Sequence, residues 1–204
     1  MDLARPYADV VPGPRGAVLA VLVRLERPVT IRELARQAHV SVGSASEIVG
    51  QLVRAGLVRK TIAGRSALIT FNRDHLEAAG VAALIGVRGA LIERLEVELS
   101  TWEGLAGAWL FGSAARGDGG HRSDIDLLLV AWDDIESERW EDDTSRLTDK
   151  VRRWTGNDVQ LVEYTLDSFR KLVADHNPLS AAIGSDGIAL VPQAQSIQRG
   201  LVAR

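Results

Sequence analysis

The chain is 204 residues long, 46% hydrophobic and 25% charged, with a formal net charge of −3 and no cysteine. That length suffices for one large domain or two small ones, and the composition is that of a packed soluble protein. Disulfides and cysteine-ligated zinc are excluded, no run reaches the ~20 apolar residues that span a bilayer, and residues 1–6 lack a signal-peptide pattern, so a cytoplasmic protein with no membrane partner is expected. The charge is uneven. Residues 1–75 hold eleven Arg and Lys against six Asp and Glu, a net of +5, whereas residues 76–204 hold thirteen against twenty-one, a net of −8. A basic front half suits a nucleic-acid partner, while the acidic run 133–143 reads as a solvated helix face.

In chain order, residues 15–26 read as a short buried helix stopped by Pro28. Thr30 lies three residues before Glu33, the capping-box spacing, and opens a helix with Ile31, Leu34, Ala35 and Ala38 on one side. After a turn at His39-Val40, Ser41 is a good N-cap for a third helix. Its buried stripe is Val42, Ala45, Ile48, Val49, Leu52 and Val53, and Gly56 ends it. Residues 57–63 and 66–71 then form a hairpin about Gly64-Arg65.

Three helices and a hairpin, with a short turn between the second and third helices, resemble the winged helix-turn-helix domains of bacterial repressors. The resemblance implies that the third helix enters the major groove of duplex DNA, where Ser44, Ser46, Glu47 and Gln51 reach base edges or phosphates. It also implies Arg65 at the wing tip, in a minor groove or on phosphate, and phosphate contacts from Arg32, Arg36, Arg54, Arg59 and Lys60. The same fold also serves as a dimerisation or protein-docking module, and the third helix carries few long base-reading side chains.

Residues 74–100 read as a long, mostly helical connector. Leu76, Val81, Leu84, Ile85, Leu91, Ile92, Leu95 and Leu99 recur at helical intervals, and Gly80, Gly86 and Gly89 loosen it. A boundary is expected near residue 75, giving domains 1–75 and 76–204. Part of the connector is free to pack across a two-fold axis, as in a homodimer, or between the domains. Next, Ala108-Trp109-Leu110-Phe111 reads as a strand running into Gly112-Ser113, where glycine lets the backbone approach a ligand and amide groups can cradle phosphate. Asp124-Ile125-Asp126 then opens the apolar run Leu127-Leu128-Leu129-Val130. Side chains alternate along a strand, so Asp124 and Asp126 project from one face and can grip one cation between them. A polar helix over about 136–154, a strand 158–164, a helix 166–174, a break at Asn177-Pro178, a short helix to about 184 and a strand 188–191 follow. Trp109, Trp132 and Trp154 fall in or beside these elements and are assigned to packing.

Gly112-Ser113-Ala114-Ala115-Arg116-Gly117-Asp118 and Ser123-Asp124-Ile125-Asp126-Leu127 together resemble the paired motif of the DNA polymerase beta-like nucleotidyltransferases, within them the minimal nucleotidyltransferases, over about residues 83–192. The expected fold class is therefore α/β (α+β): an N-terminal winged helix followed by a small mixed-sheet nucleotidyltransferase domain. The resemblance implies a nucleoside triphosphate held by Gly112, Ser113, Arg116 and Ser123, and Mg2+, two ions, on Asp124 and Asp126. Arg116 pairs with phosphate through its planar fork or merely neutralises Asp118, and Ser123 touches the nucleotide or fixes the turn before Asp124. Many relatives carry a third carboxylate in a Val-Asp-Leu-Val context, and the run here is Val159-Gln160-Leu161-Val162. Glutamine cannot act as a general base. Asp158, two residues earlier on the same face, either takes that catalytic role or is only a turn residue after Gly156-Asn157.

The resemblance implies transfer of a nucleotidyl group to a protein or RNA acceptor, as in toxin-antitoxin modules, with a small-molecule acceptor as a further option. The alternative is a transcriptional regulator whose weakened nucleotidyltransferase domain only senses a nucleotide.

Overall fold

In the computed structural model, residues 1–64 and 66–202 are described, and the chain divides into two units: Arg5–Val87, and Met1–Ala4 together with the chain from Arg88 onward. The first unit opens with α1 (Pro14–Arg24), where Pro14 occupies a first-turn position that needs no N–H partner. β1 (Val29–Thr30), α2 (Ile31–Gln37) and α3 (Val42–Arg54) follow. Both expected caps form: Thr30 Oγ1 accepts from Glu33 N at 3.2 Å, and Ser41 Oγ accepts from Ser44 N at 3.1 Å. Between α2 and α3 the chain reverses through His39 in the left-handed conformation, φ +52°.

β2 (Val58–Ala63) and β3 (Ser66–Phe71) pair antiparallel from Val58↔Phe71 to Ala63↔Ser66, and β1 joins the free edge of β3. Arg65, the expected wing-tip contact, lies outside the described residues. α4 (Ala78–Ile85) buries Ala78 and Ile85 in the same core as Val18, Leu22, Leu34, Leu52 and Ile69. The division therefore falls at Val87/Arg88 rather than near residue 75, because the first half of the supposed connector is part of the winged-helix core. Gly86 separates α4 from α5 (Val87–Leu99), so the connector is two helices.

In the second unit, β4 (Leu105–Phe111), β5 (Ile125–Ala131), β6 (Val159–Thr165) and β7 (Ile188–Ala189) form a mixed sheet in the order β6-β5-β4-β7. β5 runs parallel to β6, and β4 is antiparallel to both β5 and β7. An interior strand covered on both faces requires an unbroken apolar run, and Leu127 through Val130 are fully buried. Around the sheet lie α5, α6 (Gly112–Arg116), α7 (Ser137–Thr155), α8 (Leu166–Ala174), α9 (Pro178–Asp186) and α10 (Pro192–Val202). Leu95 and Leu99 of α5, Leu147 and Val151 of α7 and Ile183 of α9 enter one core, in which the Trp109 ring lies 5.5 Å from that of Phe169. Each such buried side chain contributes roughly 1.5–3 kcal/mol relative to exposure.

Trp132 departs from its expected packing role. It stands just beyond the end of β5 and keeps 42% of its surface exposed. The expected strand 188–191 is shortened to two residues, although Leu190 N still donates to Ala108 O at 2.9 Å. Residues 1–4 are also part of this unit: Leu3 is buried in its core and Ala4 N donates to Gly119 O at 3.0 Å.

Candidate active site

The site forms where β4 ends, β5 begins and β6 begins. Phe111 and Gln160 are the partners of Asp126 across the two neighbouring strands. β4 delivers Gly112 to the start of α6 at φ +65°, and the half-buried Asp126 carboxylate lies against its Cα, so that an added Cβ would collide with Oδ2. Only glycine combines that backbone with that approach. Asp124 precedes the strand and is exposed.

The loop after α6 is closed by its own backbone. Ser113 O accepts from the amides of Gly117, Asp118 and Gly119 at 2.9, 3.1 and 3.2 Å. Gly119 passes so close to Ser113 that a Cβ there would sit 3.0 Å from Ser113 Oγ. Ser123 Oγ accepts from Gly120 N at 3.0 Å, and Ser123 O accepts from Nδ2 of the buried Asn157 at 2.9 Å. Asn157 also receives the Met1 ammonium on Oδ1 at 2.7 Å and donates to Met1 O at 3.1 Å. Residues 1–4 and Asn157 thereby hold both ends of the segment leading into Asp124.

Burial pushes the Asp126 carboxyl above its ordinary value, the neighbouring Asp124 carboxylate raises it further, and Arg116 offsets part of this. Two hard oxygen donors that repel each other suit a divalent cation, whose charge removes the repulsion. Arg116 pairs with Asp118 at 3.1 Å and lies 3.9 Å from Asp186. Asp158 stands at the entry of β6 beside the start of β5. Its exposed carboxylate binds Arg152 at 2.7 Å, while its backbone carbonyl accepts from Ile125 N at 2.8 Å. Gln160, rather than Asp158, is in register with Asp126. Among the described residues, no three acidic or histidine side chains gather as a metal-holding group.

Arg88 has no counterpart in the sequence reading. Its Nε donates to Ala114 O at 2.8 Å and its guanidinium also reaches Ala115 O, satisfying carbonyls at the C-terminal end of α6. No local signal marks it, because its partners lie far along the chain. For the triphosphate that the motif resemblance implies as substrate, Arg88→Ala is expected to raise KM about tenfold by loosening α6, in line with the loss of a charged hydrogen bond. Arg88→Lys should recover part of this, and steady-state labelling with triphosphate as the varied substrate measures both.

On the first unit, Ser46, Glu47 and Arg54 are exposed along α3, and Arg59 and Lys60 are exposed on β2. Ser44 is half-buried and its amide is used by the cap. Gln51 accepts from Arg15 at 2.7 Å, and Arg59 is paired with Asp74 at 2.8 Å, so these two side chains have internal partners that DNA would displace.

An exposed α3 beside a hairpin bearing Arg59 and Lys60 in one unit, and a glycine-backed carboxylate pair at a strand edge in the other, fit the two expected domain types, a winged helix and a nucleotidyltransferase domain. Family models agree: residues 11–66 match the MarR family, and residues 93–176 match Polymerase beta, Nucleotidyltransferase. Solved structures similar to the chain include a MarR family transcriptional regulator from Silicibacter pomeroyi DSS-3, at 26% identity and TM-score 0.33, covering 44% of this chain and 63% of that one. The PcaV transcriptional regulator from Streptomyces coelicolor, in complex with its natural ligand, shows 28% identity and TM-score 0.32 over 44% of this chain and 62% of that one. A mutant of the toxin-antitoxin MntA-HpeT shows 24% identity and TM-score 0.38 over 55% of this chain and 81% of that one. The chain thus spans under two thirds of the length of the two regulators. No curated protein matches it.

Proposed function

We propose that the second unit transfers a nucleotidyl group from a nucleoside triphosphate to a protein or RNA acceptor, and that the winged helix binds duplex DNA to regulate it. The observation that carries this reading is the Asp126 carboxylate set against Gly112 and raised in proton affinity by burial and Asp124. The acceptor hydroxyl oxygen attacks the α-phosphorus and gives up its proton to water as the bond to the β-phosphate oxygen breaks, and pyrophosphate leaves. Asp124 and Asp126 would hold magnesium, which when bound neutralises charge on the phosphate oxygens. Ser113 offers its hydroxyl to the triphosphate, and Arg116 can exchange Asp118 for phosphate because both side chains are largely exposed. Membership of a toxin-antitoxin pair and a cytoplasmic location belong to the same proposal.

Incubating the full chain with each labelled triphosphate, magnesium and cell lysate tests it, with label expected on one protein or RNA species. DNA binding is expected to weaken linearly in log affinity against log salt, as phosphate contacts require. A salt-independent affinity would move the first unit to protein docking.

The in-register position of Gln160 favours a second reading, a regulator that binds triphosphate without transferring it. If the Arg152–Asp158 pair at 2.7 Å persists with substrate bound, Asp158→Asn leaves any transfer within a few-fold of wild type. A loss of roughly 10²–10⁴-fold, the range for a general base, would make Asp158 that base. Gln160→Asp is expected to raise transfer, and triphosphate binding with no transfer by either protein would favour the sensor.

A further inference from the structure

At the opposite end of the sheet from the carboxylate pair, the second unit contains a pocket of about 670 Å³ between α8 and α10. The full length of β5 separates the two, roughly 20 Å at the usual rise per residue. Ala106 and Phe169 are buried in the pocket lining, and Trp132 and Ile197 add apolar surface. The size falls within the range of small-molecule sites, and a tryptophan left 42% exposed there is apolar surface that a ligand would cover.

The polar groups in the lining are Arg170, Gln193 and Ser196, with no acidic side chain among them. The Arg170 side chain makes no ion pair or hydrogen bond with any described residue, although the next residue, Lys171, is paired with Asp167 at 2.7 Å. In a half of the chain whose net charge is −8, an unpaired guanidinium beside an apolar hollow selects one kind of molecule. We propose that this pocket binds an amphipathic anion, its apolar body against Phe169, Trp132 and Ile197 and its carboxylate or phosphate head on Arg170. The site is independent of the transfer reaction, since none of its residues belongs to the carboxylate or phosphate machinery.

Titration of the full chain at neutral pH with decanoate, decyl phosphate, decanol and decyltrimethylammonium, read by calorimetry and tryptophan emission, tests this. Decanoate or decyl phosphate should bind saturably and change an emission component that Trp132→Phe removes, and the tighter of the two identifies the head group. Arg170→Gln should weaken that anion roughly tenfold or more, the loss expected for a charge-assisted hydrogen bond, with little effect on decanol. Ala174→Phe, at an exposed pocket position on the last residue of α8, should block binding while leaving the fold and triphosphate binding intact. The proposal fails if neither anion saturates, if decanol or the cation binds as tightly as the anions, or if Arg170→Gln binds them as wild type does.

Discussion

Asp126→Asn is expected to abolish nucleotidyl transfer while raising the melting temperature at neutral pH. The loss of transfer follows from removing a charged oxygen donor from the cation position: several kcal/mol of transition-state charge stabilisation amounts to roughly a thousandfold or more in rate. The gain in stability follows from the direction of the carboxyl's shift. Burial, then Asp124, hold Asp126 above its ordinary value, so the folded state binds this proton more tightly than the unfolded chain does. Stability from this group is therefore present below the ordinary carboxylate value and lost as pH rises through the folded value, leaving a penalty above it. Asparagine removes both the penalty and its pH dependence. Melting curves between pH 4 and pH 8 should accordingly converge for wild type and variant at the acid end and separate at the neutral end. Magnesium should raise the wild-type melting temperature at pH 7 and leave Asp126→Asn unchanged. Asp124→Asn should lose transfer similarly. A fully active Asp126→Asn, or one less stable than wild type at pH 7, would overturn the cation assignment.

Gly112→Ala should be nearly as damaging to transfer, by a different route. The backbone there is left-handed at φ +65°, which costs an L-residue about 1–2 kcal/mol, and the new methyl group would strike the Asp126 carboxylate. Gly156→Ala is the control: its φ of +71° imposes comparable strain, and nothing lies within 4 Å of the added carbon. Both variants should melt earlier than wild type, but only Gly112→Ala should lose triphosphate binding and labelling. Equal activity in the two would show that Asp126 does not need to lie against Gly112.

Much of the fold is legible because its determinants are local. Thr30 and Ser41 cap their helices from three residues away, α8 begins and ends at the expected Leu166 and Ala174, and the apolar run after Asp126 announces an interior strand. β1 escapes notice because two residues carry no periodicity, and it exists only through pairing with β3. The domain boundary is misplaced for a similar reason: α4 and α5 share one apolar rhythm, which cannot tell which core each half enters.

From the sequence alone come the two domain types, the motif that brings glycine and two aspartates to one strand edge, and the absence of an acid at Gln160, all set by residue identity and short spacing. The tertiary structure alone decided which side chain stands beside Asp126, since that depends on the register between β5 and β6. It likewise committed Asp158 to Arg152, brought Arg88 to the end of α6 and Met1–Ala4 to the loop before Asp124, and desolvated Asp126. Apart from the Arg152–Asp158 pair, which is exposed and only six residues apart, each of these is a contact between segments far apart in the chain, whose energy exists only once packing has removed water from between them.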